Sequence, residues 1–214
     1  KEEYKEMHKA ISRDCITLVK YKDRDVLPIT PERYKRIMIV HVKGAESGMG
    51  MLMKAMGMGG GKNPAEMLKE RLCEKGFDAF IYESPLDAMK KQIAAGEKPN
   101  INLYFAGKNA IDDFVSGMDL VITLCDVSSG RPSFGLSKGG GEIPWYVFEL
   151  PVVVIGWGQP TMLADVPQAR TYINTYDAKP ATFDALVDDL MAGPDAFKGR
   201  DPIDSFCGLF DARL

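Results

Sequence analysis

A polar loop at residues 126–142 carries the side chains best suited to binding or catalysis in this sequence. It reads DVSSGRPSFGLSKGGGE and follows an apolar run, MDLVITLC. The candidate substrate-binding residues are Asp126, Ser128, Arg131, Lys138 and Glu142. Their charged and hydroxyl groups can hydrogen-bond a polar ligand, and an arginine can hold a hydroxyl or a carboxylate with its planar fork. Loops of this length in compact domains are often binding lids and are otherwise disordered. The sequence predicts substrate contacts here and leaves the second reading open.

A second loop, at residues 43–62, contains the run GMGMLMKAMGMGGG and lies where a nucleotide-binding fold would hold a phosphate. The dinucleotide fingerprint fails because Met53 stands where its third glycine belongs. The Walker motif fails because Asn63 follows Gly-Lys where Ser or Thr is required. The loop is also far longer than the tight turn of either site. We therefore expect an adaptable, methionine-rich patch or a poorly ordered loop.

Other catalytic and metal-binding signatures are absent from the sequence, which has no Gly-x-Ser-x-Gly elbow and no His-Glu-x-x-His motif. His8 and His41 are too few and too far apart for a metal cluster, so we expect no metal and no cofactor. Cys15, Cys73 and Cys125 each lie in apolar company and are predicted to be buried free thiols. A nucleophilic Cys–His pair that forms only in the fold stays open.

Composition predicts one soluble globular domain. The chain has 214 residues, of which 45% are apolar and 27% charged. Its formal net charge of −3 offers no basic surface to nucleic acid or to an anionic membrane. No run of 18 apolar residues occurs, so we expect no transmembrane helix.

The first residues predict a piece of a longer protein, because the sequence begins at Lys1 without a methionine and opens directly on a helical pattern. A signal peptide would lie outside this piece. We expect a cytoplasmic rather than a secreted protein, although the compartment stays unknown.

Strands and helices alternate along the chain. The spacing of apolar residues predicts helices at 2–14, 63–75 and 182–193, an extended stretch at ITLVK, and strands at 36–42, 77–83, 118–125, 151–157 and 170–176. This alternation predicts an α/β fold, a three-layer α/β/α sandwich around a mostly parallel, Rossmann- or flavodoxin-like sheet. In such sheets ligands bind at the carboxyl ends of strands, where the strand order reverses. Both loops described above follow strands at that edge.

The two ends of the chain resemble the C-terminal domain of glycoside hydrolase family 3. HKAISRDCITLVKYKDRDVLPITPERYKRIMIV is similar to the entry to that domain, where a helix leads into a Ser/Cys-Ile-x-Leu-x-Lys-Asn strand and a Leu-Pro-Leu/Ile stretch. The matching residues are His8, Ala10, Ile16, Leu18, Lys20, Leu27, Pro28 and Ile29, with Tyr21 where the family usually has Asn. ELPVVVIGWGQPTMLADVPQARTYINTYDAKPATFDALVDDLMAG and the later FKGRDPID resemble the family's closing strands and helix, with Thr161 in place of its usual Tyr. The β-N-acetylhexosaminidase branch looks most similar.

The resemblance implies an accessory domain of a retaining glycosidase. Residues 1–34 would be an N-terminal helix and extended linker from a TIM barrel of the same polypeptide, and 35–214 the C-terminal α/β/α domain. The Asp nucleophile would lie on that barrel, as would the acid/base His of the hexosaminidase branch, so no catalytic residue is expected in this chain and the isolated domain should be inactive. The substrate would be a carbohydrate with an O-glycosidic bond, a β-N-acetylhexosaminide or a β-glucoside. In the glucosidase branch this domain supplies the acid/base Glu, for which Glu142 is the candidate.

Two alternatives remain beside this interpretation. The chain could be a free-standing Rossmann- or flavodoxin-like module that binds a small molecule or a nucleotide. It could also be a purely structural or oligomerising domain, and a homodimer is compatible with the glycosidase interpretation as well. We expect no nucleic-acid partner and no membrane partner.

Overall fold

The computed structural model describes residues 2–22, 25–43, 63–82, 91–98, 116–126, 150–157, 163 and 169–200. In chain order the elements are α1 (Glu2–Cys15), β1 (Thr17–Tyr21), β2 (Arg36–Lys43), α2 (Pro64–Glu74), β3 (Asp78–Ile81), β4 (Leu120–Asp126), β5 (Val152–Trp157), β6 (Thr171–Asn174), α3 (Pro180–Ala192) and a 3₁₀ turn (Pro194–Ala196). Residues 91–94 are helical as well.

The strands form one six-stranded sheet in the order β1-β6-β5-β4-β2-β3. All neighbouring strands are parallel except β1, which pairs antiparallel with β6 at the sheet edge. The predicted α/β fold with a mostly parallel sheet is therefore confirmed. The extended stretch predicted at ITLVK is the edge strand β1.

Each central strand is buried on both faces, which explains its nearly continuous apolar sequence. Alternate residues of β2 divide between two cores: Ile37 and Ile39 pack on the face covered by α2 and α3, whereas Met38 and Val40 pack on the opposite face. The same alternation holds in β4, β5 and β6. The sheet is thus a rigid base from which the loops at its carboxyl edge depart.

The start and end of α2 follow the predicted helix signals. The side chain of Asn63 accepts a hydrogen bond from the amide of Ala65 at 3.1 Å, and Pro64 is the first helical residue. The chain leaves the helix through Gly76, whose φ of 92° lies in the left-handed region that glycine tolerates. Helix α2 ends at Glu74, one residue earlier than predicted.

The apolar stripe predicted for α3 is confirmed, because Phe183, Leu186, Val187 and Leu190 are all buried in the core. The helix begins at Pro180, two residues earlier than predicted. Proline's fixed φ suits the first turn of a helix, where its missing amide proton leaves no bond unmade.

The prediction of buried thiols is wrong for two cysteines. Cys15 and Cys73 are exposed and Cys125 is buried. Both exposed cysteines lie in the last turns of α1 and α2, on surfaces that the sheet does not cover. An apolar residue nearby in sequence does not bury a helical residue, since burial depends on which helix face the residue occupies.

Candidate functional site

The carboxyl ends of three parallel strands meet at one level of the sheet. Lys43, the last residue of β2, pairs in register with Asp126, the last residue of β4. Asp126 in turn pairs with Trp157, the last residue of β5. Neighbouring strands lie about 4.8 Å apart, so the three backbone positions span about 10 Å. This row is the centre of the sheet's carboxyl edge.

The strand order reverses between β2 and β4. From β2 the chain goes to β3 on one side, and then returns past β2 to form β4 on the other. The loops 43–62 and 126–142 therefore leave the sheet from adjacent strands, at the reversal point. Open α/β sheets bind their ligands at such a point, where two loops part and leave a crevice.

Of the predicted substrate-binding residues, the structure places only Asp126, and only its backbone. Ser128, Arg131, Lys138 and Glu142 lie outside the described residues, as do most of both loops. The interpretation of 43–62 as a methionine-rich patch also falls outside them. Asp126 thus stands at the reversal point of the sheet, and substrate contacts by all five residues remain a prediction.

An aromatic floor, formed by His41, Trp157 and Phe183, lies below this edge on the face covered by α3. The His41 and Trp157 rings are 5.8 Å apart and tilted by 44°, and Trp157 meets Phe183 edge-on at 6.4 Å. Trp157 is buried, so it packs in the core. Offset and edge-on ring pairs stabilise such clusters beyond the area they bury. The floor therefore joins β2, β5 and α3 just below the reversal point.

The sequence analysis did not identify His41 as part of this floor. Its position in β2 did indicate which face it lies on, because His41 follows the same alternation as Ile37 and Ile39, whose side chains face α2 and α3. The pairing with Trp157 depends on which strands are neighbours, and the order of the sheet is not readable from the residues of either strand.

A hydrogen-bonded turn joins β6 to α3 at the same edge. The hydroxyl of Thr175 donates to the carbonyl of Asp177 at 2.9 Å. The Asp177 carboxylate accepts from the amide of Lys179 at 3.3 Å and from the hydroxyl of Thr182. Burial alone would raise the pKa of Asp177, but these hydrogen bonds and the Lys179 charge outweigh it and lower the pKa. The carboxylate is therefore ionised at neutral pH, and its hydrogen bonds to Lys179 and Thr182 stabilise the start of α3.

A Cys–His catalytic pair does not form among the described residues. Cys125 faces the core opposite His41, and burial raises the pKa of its thiol far above the ordinary value. A thiol held protonated in this way is a poor nucleophile. Cys15 and Cys73 lie on the exposed surfaces of α1 and α2, whereas His41 lies in β2 and packs against Trp157.

Within the described ranges, no cluster of three or more His, Cys, Asp or Glu side chains is arranged to hold a metal ion. No helix in the described part of the chain has the length and apolarity needed to cross a membrane.

Comparison with known proteins gives one related sequence over almost the whole chain. No protein-family profile matches. A β-N-acetylglucosaminidase/β-glucosidase from Cellulomonas fimi is 30% identical over 215 residues, which cover 97% of this chain and 34% of that protein.

Solved structures of longer proteins also match almost the whole of this chain. A β-glucoside phosphorylase, BglX, matches 99% of this chain with a TM-score of 0.66 and 28% identity. A glycoside hydrolase family 3 β-N-acetylglucosaminidase from Paenibacillus sp. str. FPU-7 matches 94% with a TM-score of 0.58, and at 14% identity this likeness shows the fold alone. The present chain spans about one third of the length of these relatives.

Proposed function

Because this chain is a C-terminal domain of the glycoside hydrolase family 3 type, we propose that it is the accessory domain of a glycosidase and shapes one side of the sugar site. Support comes from a single observation on the sheet. The loops 43–62 and 126–142 leave adjacent strands at the point where the strand order reverses. A ligand held by another domain against this edge would meet both loops.

We place the nucleophile of the retaining reaction outside this chain, on a TIM barrel of the same polypeptide. Residues 1–34 would then be the helix and linker from that barrel, and 35–214 the accessory domain. Retaining hydrolysis needs two groups about 5 Å apart on either side of the glycosidic bond. The nucleophile would come from the barrel, and in an enzyme of the β-N-acetylhexosaminidase branch so would the second group. In an enzyme of the β-glucosidase branch the second group would come from this domain, where Glu142 is the candidate. The proposed substrate is a β-N-acetylhexosaminide or a β-glucoside, as the name of the Cellulomonas fimi relative suggests.

A second candidate reaction is phosphorolysis, because the solved relatives at 27% and 28% identity are named β-glucoside phosphorylases. In that reaction phosphate replaces water. The glycosidic bond breaks, a phosphate oxygen bonds to the anomeric carbon, and the leaving alcohol takes up a proton. Arg131 and Lys138 in loop 126–142 have the charge that a bound phosphate requires.

The test compares the complete gene product with the 214-residue chain on nitrophenyl β-N-acetylglucosaminide and β-glucoside. The complete protein should turn over one of them, and this chain alone should not. Sugar phosphate formed only when inorganic phosphate is added would identify phosphorolysis, whereas free sugar would identify hydrolysis. Enzyme-like turnover by the isolated chain would refute the placement of the nucleophile elsewhere.

The role of loop 126–142 is tested by substitution in the complete protein. Asp126→Asn and Arg131→Gln should each lower kcat/KM about 10- to 100-fold, in the range of a lost charged hydrogen bond at a reacting site. Asp195→Asn is the matched control, since Asp195 is exposed in the 3₁₀ turn that follows α3. Unchanged kinetics in the two loop variants would mean that the loop does not touch substrate. Binding of a nucleotide or flavin by the isolated chain in calorimetry would favour the free-standing module instead.

A further inference from the structure

Helix α1 exposes a line of large apolar side chains. Tyr4 is 67% exposed, Met7 48% and Ile11 51%, and their spacing of three and four residues puts them on one face of the helix. Cys15, four residues further on, is also exposed and continues the line. We call Tyr4, Met7, Ile11 and Cys15 the α1 stripe. Single exposed apolar residues are common on protein surfaces, but a continuous line of them marks an interaction surface.

The α1 stripe points away from the domain to which the helix is attached. Arg13 lies two positions from both Ile11 and Cys15, and so about 200° around the helix from each. Its guanidinium donates to the fully buried carboxylate of Asp189 in α3 at 3.2 Å. The side of α1 that contacts the domain is thus the side opposite the stripe.

The direction of α1 is fixed where it joins the sheet. The buried residue Ile16 links the helix to β1, and its carbonyl accepts a hydrogen bond from the amide of Gly199 at 3.0 Å. Gly199 lies so close to this junction that a Cβ atom there would be 2.3 Å from the Thr17 hydroxyl. The C-terminal end of the helix is therefore fixed by two separate contacts, and the outward position of its stripe is part of the folded domain.

We propose that the α1 stripe is the surface on which the rest of the polypeptide packs, through an apolar groove with polar edges that receives Tyr4, Met7 and Ile11. This rests on the proposed function, which places another domain of the same polypeptide before this one. The related proteins are about three times as long as this chain, so they contain a further domain to supply such a groove. A helix of this length is only marginally stable in water without packing on its apolar face. Exposed Glu3, four positions before Met7, lies beside the stripe and provides part of the polar border that such interfaces usually have.

Two exposed cysteines allow a direct test in one molecule. Cys15 belongs to the stripe, and Cys73 on α2 serves as the internal control. The complete gene product and the 214-residue chain are treated with N-ethylmaleimide, and labelling at each cysteine is followed by peptide mass spectrometry. Both cysteines should react in the short chain. In the complete protein Cys15 should react at least about tenfold more slowly, as expected for a site that reacts only through local opening, while Cys73 should not change.

Substitution shows whether the apolar side chains cause the protection. Met7→Gln combined with Ile11→Gln in the complete protein should restore Cys15 labelling, whereas Lys9→Gln, about 200° around the helix from Ile11, should leave it protected. Glycoside turnover is measured on the same samples. Protection of Cys15 without turnover would separate a failure of the proposed activity from a failure of this proposal.

Four results would overturn the proposal. The first is equal Cys15 labelling in both proteins. The second is protection in the short chain that rises with its concentration, which would assign the stripe to a second copy. The third is protection of the short chain by phosphatidylcholine vesicles, which would assign it to a lipid surface. The last is a gene product no longer than this chain.

Discussion

The guanidinium of Arg13 and the carboxylate of Asp189 form an ion pair that joins α1 to α3 across 176 positions of sequence. The pair is asymmetric, because the Arg13 side chain is 53% exposed and that of Asp189 is fully buried. Burial raises the pKa of Asp189, and the charge of Arg13 and its hydrogen bond partly oppose that rise. The charges of Asp188 and Lys198 also act on Asp189, in opposite directions.

Arg13→Ala should destabilise the protein by about 1–2 kcal/mol near pH 7. This is more than the loss of an exposed ion pair costs and less than the loss of one partner of a fully buried pair. A carboxyl whose pKa is raised on folding contributes stability that is present at low pH and lost as the pH rises through the folded pKa. Removing Arg13 raises that pKa further, so the cost of the substitution should be larger at about pH 7 than at about pH 4. Urea unfolding of the natural chain and the variant at both pH values measures this difference.

Asp189→Asn is the control for this prediction. When Arg13→Ala is added to the Asp189→Asn variant it should cost little at either pH, since the charge that Arg13 pairs with is gone. An equal cost with and without Asp189→Asn would mean that Arg13 stabilises the fold by packing alone.

Gly199→Ala should destabilise the fold by about 1–3 kcal/mol, the usual cost of overpacking. The added methyl group would lie 2.3 Å from the Thr17 hydroxyl and 2.6 Å from the carbonyl oxygens of Cys15 and Ile16. Because two of the three contacts are with backbone, adding Thr17→Ala should rescue only a small part of the loss. Arg200→Ala, at an exposed neighbouring position, is the control and should unfold close to the natural midpoint. Full rescue by Thr17→Ala would contradict the backbone argument.

The sequence was sufficient to predict each strand and helix that lies in the core. Ile37 and Ile39 alternate with Met38 and Val40 in one short apolar run, a pattern that only a strand buried on both faces satisfies. Asn63 marked the start of α2 because a side-chain oxygen at that position can accept from the first free amides of the helix. These features depend on neighbours within a few residues, which the sequence displays directly.

Other features depend on which distant segments become neighbours. The aromatic floor brings His41 of β2 to Trp157 of β5, with β4 between the two strands. The exposure of Cys15 follows from which side of α1 meets α3 at Asp189. The residues of loop 126–142 were chosen for their chemical groups, and of these only the backbone of Asp126 has a place in the structure. Their contacts with a sugar would depend on the second domain proposed above.

The α2–α3 pair Arg71–Asp184 should show a coupling free energy of about 0.5–1 kcal/mol in a double-mutant cycle with alanine. The hydrogen bond to Asp184 raises the pKa of Arg71, and the Arg71 side chain is only 22% exposed. Lys75 and Asp188, 2.7 Å apart on the same two helices, are each nearly half exposed and provide the comparison. Their coupling should be smaller, and both couplings should shrink at about 1 M NaCl, where the Debye length is about 3 Å. A larger coupling for the more exposed pair would contradict this ranking.

Only Thr182→Val should destabilise the protein, although Thr171→Val makes the same chemical change. The Thr182 hydroxyl donates to the Asp177 carboxylate, so its loss should cost about 1–2 kcal/mol near pH 7. The hydroxyl of Thr171, fully buried in β6, has no hydrogen-bond partner among the described residues. Replacing it with a methyl group should leave stability unchanged or raise it by up to about 1 kcal/mol.

The cost of Thr182→Val should also depend on pH, because the Asp177 carboxylate that accepts its hydrogen bond titrates. The pKa of Asp177 is lowered on folding, and a carboxyl of this kind contributes stability above its unfolded pKa that is lost as the pH falls through the folded value. The Thr182 bond is one cause of the lowered pKa, so the cost should shrink as the pH falls toward the folded pKa of Asp177. Urea unfolding of the natural chain and both valine variants at about pH 3 and about pH 7 measures the destabilisation by each variant at each pH. If Thr182→Val destabilises the protein equally at both pH values, the ionised carboxylate does not accept this hydrogen bond. If Thr171→Val destabilises the protein as much as Thr182→Val does, the Thr171 hydroxyl has a hydrogen-bond partner.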